Sequence, residues 1–209
     1  MTRGFMIGIL AMALVVVASN ILVQFLLGDW LTWGAFTYPF AFLVTDLTNR
    51  FLGARAARRV VAAGFVIGVA CSLIASQITG PEGYPLTTFR IATASGLAFL
   101  LAQMVDIGVF NRLRRGSWWR APFVSSLAGS SLDTVIFFSV AFSGALSFID
   151  PSEDVSWAAA PLPLLGAGPE VPLWVSLAGA DFLVKMALAL VALIPFRVLL
   201  GVLAARRAA

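Results

Sequence analysis

Histidine is absent from this chain of 209 residues, and cysteine occurs once. The chain therefore has no histidine-dependent catalytic triad, no histidine metal site and no internal disulfide. Charged residues make up only 11% of the chain, whereas hydrophobic residues make up 60%. A soluble domain needs a polar surface, so this composition indicates a membrane-embedded protein. Cys71 lies inside an apolar run and is expected to be a small packing residue.

Apolar runs long enough to cross a membrane occur six times along the sequence. They lie near residues 5–27, 33–52, 60–77, 91–110, 121–142 and 172–195. The sequence predicts an all-α membrane protein: one transmembrane domain over residues 1–209, with six spanning helices. The first run starts like a signal peptide, but its length of about 23 residues favours a retained span. The second run is the weakest, and a broken or re-entrant segment is the alternative at its polar end, which contains Thr45, Asp46, Thr48, Asn49 and Arg50.

The basic residues fall on alternate connections of this six-helix scheme. Eleven of the fourteen lie before the first span, after the second, after the fourth or at the C-terminus. Because cytoplasmic loops are enriched in Lys and Arg, both termini are expected in the cytoplasm. This placement also accounts for the net charge of +4 without a nucleic-acid partner. Residues 143–170 contain four prolines and four acids, and are expected to form an external, largely non-helical loop that is either a gate or a solvated tether.

Ionisable and amide side chains occur within the predicted spans, where an uncompensated charge costs at least ~2.5–3.5 kcal/mol. Four spans place such groups near the middle or inner half of the bilayer, as a central binding site requires. They are Asp46, Gln103, Asp106, Asp133, Asp181 and Lys185. Asn20 and Gln24 share a helix face nearer the outside, and Trp33 lies at the outer aromatic interface. These nine residues form the predicted substrate-binding set.

Structural roles compete with ligand binding at the charged positions. Asp181 and Lys185 are four residues apart with the acid first, so they can neutralise each other on one helix face. Arg50 can pair with Asp46 in the same way. Asp133 has no obvious basic partner, and needs either a donor from another helix or a ligand.

The amide and aromatic positions carry alternatives of their own. Gln103 and Asp106 share a face with no basic residue near them in their span, so a structural role is weaker there. For Asn20 and Gln24, hydrogen bonding between helices and ligand contact are equally favoured. For Trp33, anchoring at the membrane interface is favoured over stacking on a ligand.

The chemistry that these residues support is binding and not catalysis. The chain contains no GxSxG, HExxH or Walker glycine loop, so no enzyme, cofactor or metal is predicted. Carboxylates and amides among aromatic side chains suit a small flat ligand with N–H donors, or a cation. A transporter is the leading interpretation. A binding module that needs a separate ATP-driven partner and a proton or cation channel are the alternatives, and a homo-oligomer stays open.

Blocks of residues spread over about 19–195, except for the loop 143–170, carry a family resemblance. They include Thr45-Asp46-Leu47-Thr48, Val109-Phe110-Asn111-Arg112-Leu113-Arg114, Asp133-Thr134, and Asp181 with Lys185. In this order they resemble the queuosine precursor transporter family. The resemblance implies a six-helix protein of the bacterial inner membrane that imports 7-cyano-7-deazaguanine and 7-aminomethyl-7-deazaguanine for tRNA modification. Such proteins are similar to the substrate-binding components of energy-coupling-factor transporters.

The resemblance sharpens the expected recognition of a purine-like ligand. A carboxylate such as Asp106 or Asp133 would accept the adjacent N–H groups of a guanine-like edge. An amide such as Gln103 or Asn20 would donate to its carbonyl. A cationic aminomethyl group would also be attracted by a buried carboxylate, whereas a cyano group would not.

Overall fold

The computed structural model describes residues 3–81 and 83–208, with side chains as far as residue 202. Seven α-helices follow one another: α1 (Arg3–Leu22), α2 (Gly34–Thr37), α3 (Phe40–Leu52), α4 (Ala54–Ala75), α5 (Phe89–Leu113), α6 (Arg120–Phe142) and α7 (Leu173–Ala208). Two small antiparallel hairpins lie between helices. Strand β1 (Leu26–Leu27) pairs with β2 (Leu31–Thr32), and β3 (Pro161–Pro163) pairs with β4 (Glu170–Pro172).

Five of these helices, α1, α4, α5, α6 and α7, are long and apolar enough to cross a membrane. Their outward surfaces carry large apolar side chains such as Leu14, Val66, Val135 and Ile194, each more than half exposed. Such a surface is stable only against lipid or another apolar partner. The chain is a multi-pass helical membrane protein.

The predicted second span, 33–52, consists of two helices and not one. The helices α2 and α3 are separated by Tyr38 and Pro39. Proline has no N–H to donate to the preceding turn, so the helical ladder is interrupted there. The polar stretch 45–50, where a break is the sequence-based alternative, lies inside the continuous helix α3. The interruption therefore occurs at the proline and not at the polar residues.

Several helix ends differ from the sequence-based bounds. Helix α1 ends at Leu22, before the predicted limit at residue 27, because the chain turns there into the β1–β2 hairpin. Helix α7 continues through Pro195 to Ala208, well past the predicted end at 195. A single proline in a long apolar helix is accommodated by neighbouring helices and local adjustment.

The connection 143–170 is more ordered than its proline content suggests. Three short 3-10 helices lie within it: Gly144–Ile149, Ser156–Ala159 and Leu164–Gly166. Glu153 accepts a hydrogen bond from Thr88 Oγ1 at 2.7 Å, and Leu165 N donates to Ser176 Oγ at 3.1 Å. The connection is thereby fastened to the start of α5 and to α7.

Close packing of α6 against α3 and α5 depends on a glycine. A Cβ atom added at Gly129 would lie 2.6 Å from Phe42 Cε1 and 3.2 Å from the carbonyl oxygen of Ala102. Both distances are shorter than van der Waals contact, and one neighbour is backbone. The side chains of Asp46, Asp106 and Asp133 lie on these same helices, so their mutual distances depend on this contact.

Gly129→Ala is expected to destabilise the folded protein by about 1–3 kcal/mol, because the added methyl forces α6 away from α3 and α5. Thermal unfolding of the purified protein in detergent measures the effect. Gly108→Ala on α5 is the matched control, since a Cβ there meets nothing within 4 Å. Equal midpoints for the two variants would contradict this account of the helix contact.

The orientation predicted from the arginines is tested with cysteines placed at Ser117 and Ser152, both of which are exposed. In a Cys71→Ser background, a membrane-impermeant maleimide should label Ser152→Cys in intact cells and Ser117→Cys only after permeabilisation. Labelling of Ser117→Cys in intact cells would reverse the predicted topology.

Candidate substrate site

A buried lysine joins α6 to α7. Lys185 Nζ lies 2.6 Å from Asp133 Oδ2 and 3.2 Å from Thr134 Oγ1, and it also donates to Asp181 Oδ2. Thr134 Oγ1 donates to Asp181 at 3.0 Å. The sequence left a donor from another helix or a ligand as the alternatives for Asp133, and the structure supplies that donor from α7. The expected pair of Asp181 with Lys185 is present, but Asp133 is a third member.

Tyr38 connects this group to the interrupted helix. Its hydroxyl donates to Asp133 Oδ1 at 3.0 Å, and Lys185 Nζ lies 5.6 Å from the centre of its ring. Two carboxylates and one ammonium leave the group with one net negative charge when all three are ionised. The five residues Tyr38, Asp133, Thr134, Asp181 and Lys185 are called the lysine cluster below.

A second polar centre lies between α3, α5 and α6. The carboxyl groups of Asp46 and Asp106 are neighbours there, and Ser125 Oγ donates to Asp46 Oδ1 at 3.2 Å. Asp46 is 2% exposed and Asp106 is fully buried. Arg50 turns away and donates to the carbonyl of Arg114 at 2.7 Å, so the sequence-based pairing of Asp46 with Arg50 is wrong. Asp46 and Asp106 are called the acidic pair below.

Two buried amides lie beside the acidic pair and join α3 to α5. Thr45 Oγ1 donates to Gln103 Oε1 at 2.6 Å, and Asn49 Nδ2 donates to the carbonyl of Ile107 at 3.3 Å. Gln103 Nε2, Asn49 Oδ1 and both carboxyl oxygens of Asp106 have no hydrogen-bond partner among the described residues. Unsatisfied buried groups are costly, and their presence points to a bound species.

Two cavities differ sharply in size. A void of about 10 Å³ lies beside the acidic pair and is lined by Asp46, Ser126, Ser130 and Lys185, among others. This is space for a single water molecule. A cavity of about 480 Å³ lies between α1, α4 and α5. Its volume falls within the ~300–1,000 Å³ typical of small-molecule sites.

Neutral polar and aromatic side chains line the larger cavity. The polar ones include Ser19, Asn20, Tyr38, Thr93 and Ser95, and the aromatic ones include Phe65, Phe89 and Phe99. Within the described ranges, no lining side chain carries a formal charge. The lining can therefore stack on a flat ring and exchange hydrogen bonds with it without offering a fixed counter-charge.

Only one of the nine predicted site residues, Asn20, is among the residues that line the larger cavity. Gln24 Nε2 instead donates to the carbonyl of Leu86 at 3.2 Å, and Trp33 is 48% exposed with its ring centre 6.1 Å from that of Phe36. The six remaining predicted residues belong to the lysine cluster or to the acidic pair and its neighbouring amides. Their predicted contact with substrate stays a prediction.

The predicted substrate-binding set omits Tyr38, which lines the larger cavity and donates to Asp133. Its place directly before Pro39 is the available signal. A polar aromatic residue at a proline in a membrane span lies where the helix is interrupted.

Long apolar helices define a multi-pass membrane protein, and the larger cavity lies between three of them, α1, α4 and α5. The chain belongs to the family described as "Putative vitamin uptake transporter", whose model matches residues 32–200. No solved structure matches the chain.

Two curated relatives carry more specific names. The chain is 43% identical over 142 residues to the "Queuosine precursor transporter" of Escherichia coli strain K12, covering 62% of this chain and 64% of the relative. It is 44% identical over 123 residues to the "Probable queuosine precursor transporter" of Haemophilus influenzae, covering 53% of this chain and 52% of the relative. The match spans less than two thirds of either relative's length. The resemblance stated from the sequence blocks is confirmed.

Lys185→Met is expected to destabilise the protein by about 3–5 kcal/mol, because it leaves two buried carboxylates without a cation. Asp181→Asn should cost much less, since the Lys185 and Asp133 pair survives. Thermal unfolding in detergent measures both. The variant combining Lys185→Met with Asp181→Asn should stay unstable, and adding Asp133→Asn should restore stability. Recovery in the double variant would show that Asp133 is not a member of the cluster.

Proposed function

We propose that this chain imports queuosine precursors, 7-cyano-7-deazaguanine and 7-aminomethyl-7-deazaguanine, across the bacterial inner membrane for tRNA modification. The observation that carries the proposal is the cavity of about 480 Å³ between α1, α4 and α5, which has an uncharged, largely apolar lining that includes three phenylalanines. The printed names of the two curated relatives support the substrate class. The role is transport and not catalysis.

The side chains that line the larger cavity suit a flat base. Phe65 and Phe99 offer aromatic side chains, and the Asn20 amide and the hydroxyls of Thr93 and Ser95 offer hydrogen-bonding groups to the edge of a guanine-like ring. Because the lining carries no charge, the uncharged cyano base loses less hydration free energy on entry than the cationic aminomethyl base. The cyano base is therefore the preferred substrate.

The lysine cluster acts on the substrate indirectly in this proposal. Tyr38 lines the cavity, its hydroxyl donates to Asp133, and Lys185 lies over its ring. Asp133 and Lys185 therefore position Tyr38. A substrate that displaces Tyr38 would therefore also act on Asp133 and Lys185, which lie on α6 and α7. This assignment replaces direct recognition of the ring by Asp133.

Uptake by the purified chain alone in proteoliposomes tests the proposal. Labelled 7-cyano-7-deazaguanine should accumulate without any added ATP-driven partner, and unlabelled base should compete. Accumulation only when an ATP-driven module is added would identify a binding component instead. A steady cation current that deazaguanine bases do not affect would identify a channel.

Filling the cavity gives a sharper test. Ala92→Trp places an indole in the larger cavity, and should lower the affinity for 7-cyano-7-deazaguanine by at least tenfold because ring and indole occupy the same space. Ala70→Trp on α4 is the matched control, since Ala70 is exposed and does not line the cavity. Calorimetry in detergent measures both affinities. Wild-type affinity in Ala92→Trp would place the substrate elsewhere.

A further inference from the structure

The acidic pair is a buried site that the larger cavity does not use. Asp46 and Asp106 lie on α3 and α5, away from the lining of that cavity. We infer that these two carboxyl groups hold one exchangeable proton, and that this proton drives uptake of the neutral substrate. The coupling part of the inference rests on the proposed transport function, whereas the proton site itself does not.

The geometry of the pair requires a bridging species. The two carboxyl groups are neighbours, and neither oxygen of Asp106 has a hydrogen-bond donor among the described residues. Over the same part of the chain, the ion pairs are those of Lys185 with Asp133 and Asp181, so no ion pair neutralises the acidic pair. Two neighbouring carboxyl groups that lack a cation can form a hydrogen bond only by sharing a proton.

A proton fits the surroundings better than a metal ion. The adjacent void of about 10 Å³ holds a water molecule at most. No group of three or more acidic or cysteine side chains gathers around a common point in the described ranges. Ser125 supplies a hydroxyl to Asp46, and Gln103, which lies one turn before Asp106 on α5, has an N–H without a hydrogen-bond partner among the described residues. An amide N–H repels a metal cation but stabilises a carboxylate after the proton leaves.

The groups that face the pair come from each surrounding helix. Ser125 on α6 donates to Asp46, Gln103 lies on α5, and Lys185 on α7 shares the small void with Asp46. Lys185 also belongs to the lysine cluster, in which it lies over the ring of Tyr38. A water in the small void therefore gives the proton a route between the acidic pair and the lysine cluster.

The same helix links proton and substrate. Asp46 lies on α3, and Tyr38 precedes the first residue of α3 at the helix interruption. Protonation changes the charge of the acidic pair from −2 to −1, and deprotonation restores it, with no other bond formed or broken. Substrate contact with Tyr38 and proton binding at Asp46 thus act on neighbouring parts of one segment of the chain, so that each can influence the other.

Infrared spectroscopy of the purified protein in detergent tests the proton site without any substrate. Wild type at pH 7 should show the carbonyl stretch of a protonated carboxylic acid that exchanges with D₂O. The double variant Asp46→Asn with Asp106→Asn should lack this band. Asp154→Asn in the exposed loop is the control with the same chemical change, and should keep it. Absence of the band in wild type across pH 5–8 would overturn the inference.

Transport in proteoliposomes tests the coupling. With one proton per substrate, each unit of pH difference should support a roughly tenfold accumulation of labelled 7-cyano-7-deazaguanine. The double Asn variant should fail to accumulate the base yet still exchange labelled for unlabelled base, which shows that it is folded and binds. Accumulation driven by a sodium gradient, or accumulation in the double variant, would contradict proton coupling. No transport by wild type with the infrared band present would reject the transport proposal alone.

Discussion

The ion pairs of Lys185 with Asp133 and Asp181 govern how the helices are arranged. An ammonium in a lipid-embedded bundle must be neutralised by carboxylates within contact distance, and here these come from α6 and from one turn earlier on α7. Because each partner is buried, loss of the lysine leaves charges that no solvent can screen. The ion pair between Lys185 and Asp133 therefore restrains the relative position of α6 and α7, in addition to the side-chain packing that holds helices together in lipid.

The interrupted second span is attached to these ion pairs through Tyr38. Tyr38 precedes Pro39, where the helical ladder is broken, and its hydroxyl is tied to Asp133. A broken backbone in a membrane is tolerated where protein surrounds it or where it lines a cavity. Tyr38 meets both conditions, since its ring also lines the larger cavity. The interrupted backbone at Pro39 therefore lies beside the ion pairs of Lys185.

The sequence predicted the helical membrane architecture because spanning length and apolar composition are local properties. It also singled out Asp46, Gln103, Asp106, Asp133 and Lys185, which the structure buries, but not Asn49 or Arg90, which are fully buried as well. It did not predict the partner of Asp133, because Lys185 is 52 residues away on another helix. Spacing alone offered Arg50 as one possible partner of Asp46, whereas Arg50 donates to the carbonyl of Arg114, just after α5. Spacing finds neighbours on one helix, and only packing finds those between helices.

A neutral cavity beside charged centres has a physical consequence for a transporter of uncharged bases. A charged lining would hold an oppositely charged ligand tightly, and its charge would have to be neutralised each time the ligand crossed the membrane. A neutral lining binds less strongly, so the free energy for accumulation must come from another bound species. Both carboxylates of the lysine cluster already contact Lys185. The acidic pair carries the buried carboxylates that no ion pair compensates among the described residues, so the proton proposed there is the species whose binding would supply that free energy.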